Sequence, residues 1–70
     1  MRDVIIPKEP VELYKILKFE GMVASGGEAK LVISNGLVQV NGQVETRKRK
    51  KILVGDVIKF ANEQVRVCLA

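Results

Sequence analysis

Residues 25–51 read SGGEAKLVISNGLVQVNGQVETRKRKK, and this stretch decides the fold. Ser25-Gly26-Gly27-Glu28 fits a capping box: the Ser25 hydroxyl accepts the Glu28 amide, and the Glu28 carboxylate reaches back to the Ser25 amide. Ala29, Val32 and Ile33 follow as an apolar stripe at helical spacing, and Asn35-Gly36 ends the helix. From Leu37 the period changes to two, and Asn41-Gly42 marks a hairpin. A two-residue loop would set Val40 opposite Gln43 and Val38 opposite Glu45. A three-residue loop, Val40-Asn41-Gly42 with Gly42 left-handed, sets Val38 opposite Val44 and Gln39 opposite Gln43. Matching of apolar faces favours the three-residue loop. The stretch closes on five consecutive basic residues, Arg47–Lys51.

Upstream, Val4-Ile5-Ile6 is a β-branched run stopped by Pro7, as in an edge strand. Lys8-Glu9-Pro10 reads as a turn into a helix over Pro10–Glu20, with Pro10 at the first helical position. Leu13, Ile16 and Leu17 form its apolar stripe. Glu9 and Glu12 lie near its positive end, Lys15 and Lys18 near its negative end, and Gly21 ends it. Met22-Val23-Ala24 connects the two helices. Downstream, Ile52-Leu53-Val54 and the turn Gly55-Asp56 precede a second hairpin, Val57–Phe60 and Val65–Leu69. With Asn62-Glu63 as its loop, Phe60 faces Val65 and Ile58 faces Val67. The fold class is α+β: two helices packed on a small, mainly antiparallel twisted sheet.

The chain has 70 residues, enough for one domain over 1–70 with one small core. Only three residues are aromatic, Tyr14, Phe19 and Phe60, so the core must be mostly Val, Ile and Leu. No apolar run approaches the ~20 residues of a bilayer span, and the first residues lack the basic-then-apolar layout of a secretory signal, so export is not expected. The single cysteine, Cys68, is expected to pack as a small apolar residue in the last strand, in a reducing, cytoplasmic setting. There is no histidine, and neither zinc nor calcium ligands are spaced for a site. No nucleophile has a base beside it. The expectation is no catalytic residue, no metal, no cofactor and no membrane partner.

Charge is informative through its placement. Net charge is +4, from twelve basic and eight acidic residues. Five of the twelve are Arg47–Lys51, so the rest of the chain holds seven basic against eight acidic residues. A near-neutral domain with one basic block suits a polyanion. Alternatively, the block is a solvated loop. If strand-like, it would alternate Arg47, Arg49 and Lys51 on one face with Lys48 and Lys50 on the other, and both rows cannot be buried.

The order of these features resembles the S-four-type RNA-binding domain, the αL motif, in its small stand-alone bacterial, ribosome-associated form. The likeness spans residues 11–60. It rests on the leucine-bearing helix, the Gly21 connector, Ser25 and Ala29-Lys30, Gly36-x-Val38-x-Val40-Asn41-Gly42, and Gly55-Asp56-x-Ile58. The resemblance implies RNA bound across the two helices and the hairpin, largely through backbone contacts. By position it carries over Ser25, Lys30, Asn41, Gly42 and the basic residues Arg47, Lys48, Arg49, Lys50 and Lys51, with Lys18 at the rim. Two departures stand out: Gly26 replaces an arginine common after the serine, and Val11-Glu12-Leu13 replaces a common Arg-Leu-Asp. Part of the phosphate grip is therefore expected to have moved to Arg47–Lys51. Gly26-Gly27 could instead let a phosphate approach the helix amides, which Glu28 opposes electrostatically.

With so few aromatics, stacking platforms for single-stranded bases are scarce, so the expected ligand is structured RNA, ribosomal RNA or tRNA, gripped through phosphates and shape. A role in ribosome assembly or translation, contact with the ribosome, and a monomeric state follow as expectations. The competing class is a β-grasp carrier or protein-interaction module. Such carriers need a Gly-Gly C-terminus, whereas this chain ends Val67-Cys68-Leu69-Ala70.

Overall fold

Both helices stop by the same device. The computed structural model describes all 70 residues, Met1–Ala70. In helix α1 (Leu13–Phe19) the Gly21 amide donates to the Lys18 carbonyl and the Met22 amide to that of Leu17, with Gly21 at φ +70°. In α2 (Gly26–Ser34) Gly36, at φ +76°, donates to Ile33, and Leu37 donates to Val32. Each pair satisfies two carbonyls the helix would otherwise leave bare. The strands are β1 (Arg2–Ile6), β2 (Val11–Glu12), β3 (Val38–Val40), β4 (Gln43–Val44), β5 (Lys51–Ile52), β6 (Val57–Phe60) and β7 (Glu63–Leu69).

Five strands form one sheet in the order β1-β7-β6-β3-β4, and β2 and β5 form a separate two-stranded ribbon. Only the β1–β7 pair is parallel, and β1 is an edge strand, as the Val4–Ile6 run suggested. Sixteen residues are buried and every one is apolar. They are aliphatic apart from Met22, with Leu13, Leu17, Ile33, Ile52 and Ile58 fully enclosed. The Ala29, Val32 and Ile33 stripe of α2 and the Leu13, Ile16 and Leu17 stripe of α1 meet this core as expected.

Several expectations are corrected. The first helix starts at Leu13, not Pro10: Val11 and Glu12 are extended and pair with Ile52 and Lys51. Glu9 therefore takes no part in the helix dipole, and its carboxylate accepts the Val54 amide at 2.9 Å. In the capping box Ser25 Oγ accepts the Glu28 amide at 3.1 Å, but the Glu28 carboxylate takes the amide of Ala24, one residue before the serine, at 2.6 Å.

The first hairpin has the two-residue loop. Val40 pairs with Gln43 and Gln39 with Val44, and Asn41 and Gly42 both have positive φ, 53° and 83°. The apolar match that favoured the longer loop is made elsewhere. Strand β3 is internal, and Val38 and Val40 oppose Phe60 and Ile58 of β6. Strand β4 is left as an exposed edge, with Val44 facing solvent. The second hairpin turns through Ala61-Asn62, one residue earlier than expected, so Phe60 opposes Glu63 and Ile58 opposes Val65. Partners move by two residues, which leaves Val65 and Val67 on the buried face. Cys68 lies in the last strand, half-buried on the opposite face to those valines.

Candidate nucleic-acid interface

The basic block does not form an alternating strand. Only Lys51 enters β5, and Arg47–Lys50 is a turn closed by the Lys50 amide donating to the Arg47 carbonyl at 3.1 Å. The reason lies in α1, whose N-cap Glu12 makes no side-chain cap. The first two helical amides, Leu13 and Tyr14, instead donate to the carbonyls of Lys50 (2.9 Å) and Lys48 (3.1 Å). The backbone of the basic turn thus caps the helix, and its side chains are directed outward by that docking. A free solvated loop would have neither bond.

Two acidic residues flank the block and pair with its arginines. Glu45 accepts three bonds from Arg47: the amide at 2.9 Å, Nε at 3.0 Å and Nη2 at 3.1 Å. Those hydrogen bonds, chiefly from the guanidinium, lower the Glu45 carboxyl from its ordinary 4.5 to about 2. Glu12 bridges Lys15 at 3.5 Å and Arg49 at 3.7 Å. Lys48, Lys50 and Lys51 make no ion pair. Arg47, Arg49, Lys50 and Lys51 alone wall a hollow of about 410 Å³. Beside it a cleft of about 440 Å³ runs to the hairpin tip and is lined by Asn41, Gln43, Glu45, Arg47, Lys50 and Lys51 among others.

The structure therefore brings Asn41 of the hairpin tip into the same cleft as part of the basic block. Its side chain, however, has an internal task. Asn41 Nδ2 donates to Asp56 at 3.0 Å and its Oδ1 accepts the Val57 amide at 2.9 Å. Gly42 is exposed at the turn, with nothing within 4 Å of where a Cβ would stand. Ser25 is committed to the Glu28 amide. Lys18 lies one turn from Tyr14 on the same face of α1, and a Cβ at Gly26 would meet its Cδ at 3.9 Å. Gly26 thus faces the lysine stem, and neither Ser25 nor Lys18 lines the basic hollow.

Sequence reasoning missed Tyr14. Lys30 Nζ stands 4.7 Å from the centre of its ring, the Arg49 guanidinium 5.6 Å and Lys15 Nζ 6.0 Å. These cations come from α2, the basic turn and α1, so the half-buried ring joins the three elements. A lone tyrosine in the first turn of a helix whose buried residues, Leu13, Ile16 and Leu17, are all aliphatic was the available signal. Its partners lie too far along the chain for periodicity to find them. Glu45 was more accessible, two residues before Arg47.

The S4 domain family model matches residues 4–68. YbcJ of Escherichia coli is 51% identical over 68 residues, covering 96% of this chain and 97% of YbcJ. Its solution structure, described as an αL motif involved in RNA binding, superposes with a TM-score of 0.73 at 46% identity, covering 94% of this chain and 85% of that one. A Bacillus subtilis protein named "Probable ribosome maturation protein RlbA" is 36% identical over 57 residues, 81% of this chain and 80% of its own length. The 30S ribosomal protein S4e of Thermoplasma acidophilum gives a TM-score of 0.69 at 28% identity, over 84% of this chain and 31% of that longer one.

Proposed function

The chain belongs to the S4 domain family, and from that premise we propose that it binds structured RNA, ribosomal RNA or tRNA, through phosphate and shape contacts. It does so as a non-catalytic monomer of the cytoplasm, in ribosome assembly or translation. The observation that carries the reading is the docked basic turn: the carbonyls of Lys48 and Lys50 are spent on α1, and a four-cation hollow stands beside them. A backbone held this way presents cations without having to order a loop at the moment of binding, which spares the entropy of a flexible arm. Relatives named for RNA binding and ribosome maturation support the ligand class.

The site proposed comprises Arg47, Lys48, Arg49, Lys50, Lys51 and Lys30, with Ser25, Asn41, Gly42 and Lys18 at its borders. Wild-type protein should bind a labelled RNA stem-loop at low salt, with affinity falling on the order of 10²–10³-fold between ~50 and ~200 mM salt if about five phosphates are neutralised. Replacing Arg47, Lys48, Arg49, Lys50 and Lys51 together by glutamine should abolish binding while circular dichroism stays native. Undiminished affinity in that folded variant would overturn the reading. Crosslinking in cell extract, with sequencing of the recovered RNA, would name the target.

A further inference from the structure

Three cations converge on one aromatic ring, yet only one carboxylate, Glu12, stands with them. Glu12 reaches Lys15 and Arg49 and leaves Lys30 without an anionic partner. Like charges this close repel, and a lysine free to choose would turn its head into water. The ring opposes that tendency. The negative π-cloud of the ring attracts each cation, and Tyr14, half-buried with its backbone amide donating to the Lys48 carbonyl, is held at the junction of the three elements. The arrangement keeps a surplus of positive charge poised where α1, α2 and the basic turn meet. A phosphate is the group that would relieve it.

We infer that Tyr14 is a positioning residue, whose ring holds Lys30 of α2 and Arg49 of the basic turn together as one phosphate subsite. The inference rests on the RNA-binding reading above. It assigns a role to an aromatic residue without stacking on a base. Tyr14 acts through its face and not its hydroxyl, so phenylalanine can replace it and an aliphatic residue cannot. It also explains how helix α2, which carries no other cation, is joined to the basic turn as one surface.

The test is a mutant cycle read with a labelled RNA stem-loop and with tripolyphosphate. Tyr14→Leu should weaken RNA binding about tenfold, the equivalent of losing two exposed cation–π contacts and their geometry. Tyr14→Phe should bind like wild type, and all variants should keep a cooperative thermal transition. In a Lys30→Gln/Arg49→Gln background, Tyr14→Leu should cost nothing more, because its partners are gone. A full additional loss there would mean that the ring itself meets the RNA, and would overturn the inference. So would unchanged affinity of Tyr14→Leu; in either case the RNA reading survives.

Tripolyphosphate separates the two readings. Tyr14 is the single tyrosine in a chain without tryptophan, so intrinsic fluorescence reports on this place alone. The emission should change as tripolyphosphate is added at low salt, and Lys30→Gln/Arg49→Gln should abolish the change. That response without RNA binding would uphold the subsite and overturn the RNA reading. No response to either probe would overturn both.

Discussion

The side chains of Asn41 and Asp56 meet at 3.0 Å, joining the tip of the first hairpin to the turn before β6. Asp56 also accepts the Leu53 amide at 2.9 Å, while Asn41 accepts Val57. The Asn41 amide adds a 2.7 Å bond to the Val57 carbonyl. Two turns far apart in sequence are thereby locked, and the cleft beside the basic turn takes its shape from the lock.

Asn41→Ala should therefore act on stability first. It removes two side-chain bonds and puts alanine at φ 53°, a conformation L-residues avoid. The expected loss is about 1–3 kcal/mol in urea denaturation, from bonds of roughly 1 kcal/mol each plus backbone strain. Asn41→Gly relieves the strain but not the lost bonds, and should fall between the variant and wild type.

The Glu45–Arg47 pair sets a pH response. The folded carboxyl lies at about 2 against an ordinary 4.5. Its pKa is depressed by folding, so its contribution to stability is fully present above about 4.5 and is lost as pH falls through about 2. Carbon-detected NMR titration of the Glu45 carboxyl should give a midpoint near 2 in the wild type. In Arg47→Ala the midpoint should return to the normal glutamate range.

Glu12 stands beside Lys15 and Arg49 as an internal counter-ion, and a bound phosphate would compete with it. Glu12→Gln should raise affinity for the RNA stem-loop about threefold at low ionic strength, with the gain fading at high salt as screening shortens the reach of the charge. Asp3→Asn, the same charge change on edge strand β1, should leave affinity nearly unaltered.

Gly27 occupies the second position of α2, and a Cβ there would meet only Ser25 Oγ at 3.9 Å. Alanine fits without displacement and restricts the unfolded chain more than glycine does. Gly27→Ala should stabilise the fold by about 0.5–1 kcal/mol in chemical denaturation.

The glycines that end the helices, the Ser25 cap and the aliphatic core were legible in the sequence, because each depends on residues within a few positions or on period alone. The start of α1 was not. Val11 and Glu12 look helical in isolation, and only Lys51 and Ile52, far along the chain, draw them into a ribbon. Hairpin register failed for a related reason. Val38 and Val40 were matched to the nearest apolar residue in sequence, whereas the sheet pairs them with Phe60 and Ile58.

The same division runs through the site. Local chemistry by itself determined two helices, the second with its own serine cap, two turns, a small aliphatic core and a block of cations set in an otherwise balanced chain, since propensity, turn geometry and charge are carried by neighbouring residues. What those cations face was decided only when the chain closed. Two helical amides needed acceptors, the carbonyls of Lys48 and Lys50 supplied them, and that docking brought Arg49 to the ring of Tyr14, where Lys30 of α2 also stands. Such contacts join segments by their arrangement in space, and no pattern along the chain encodes them.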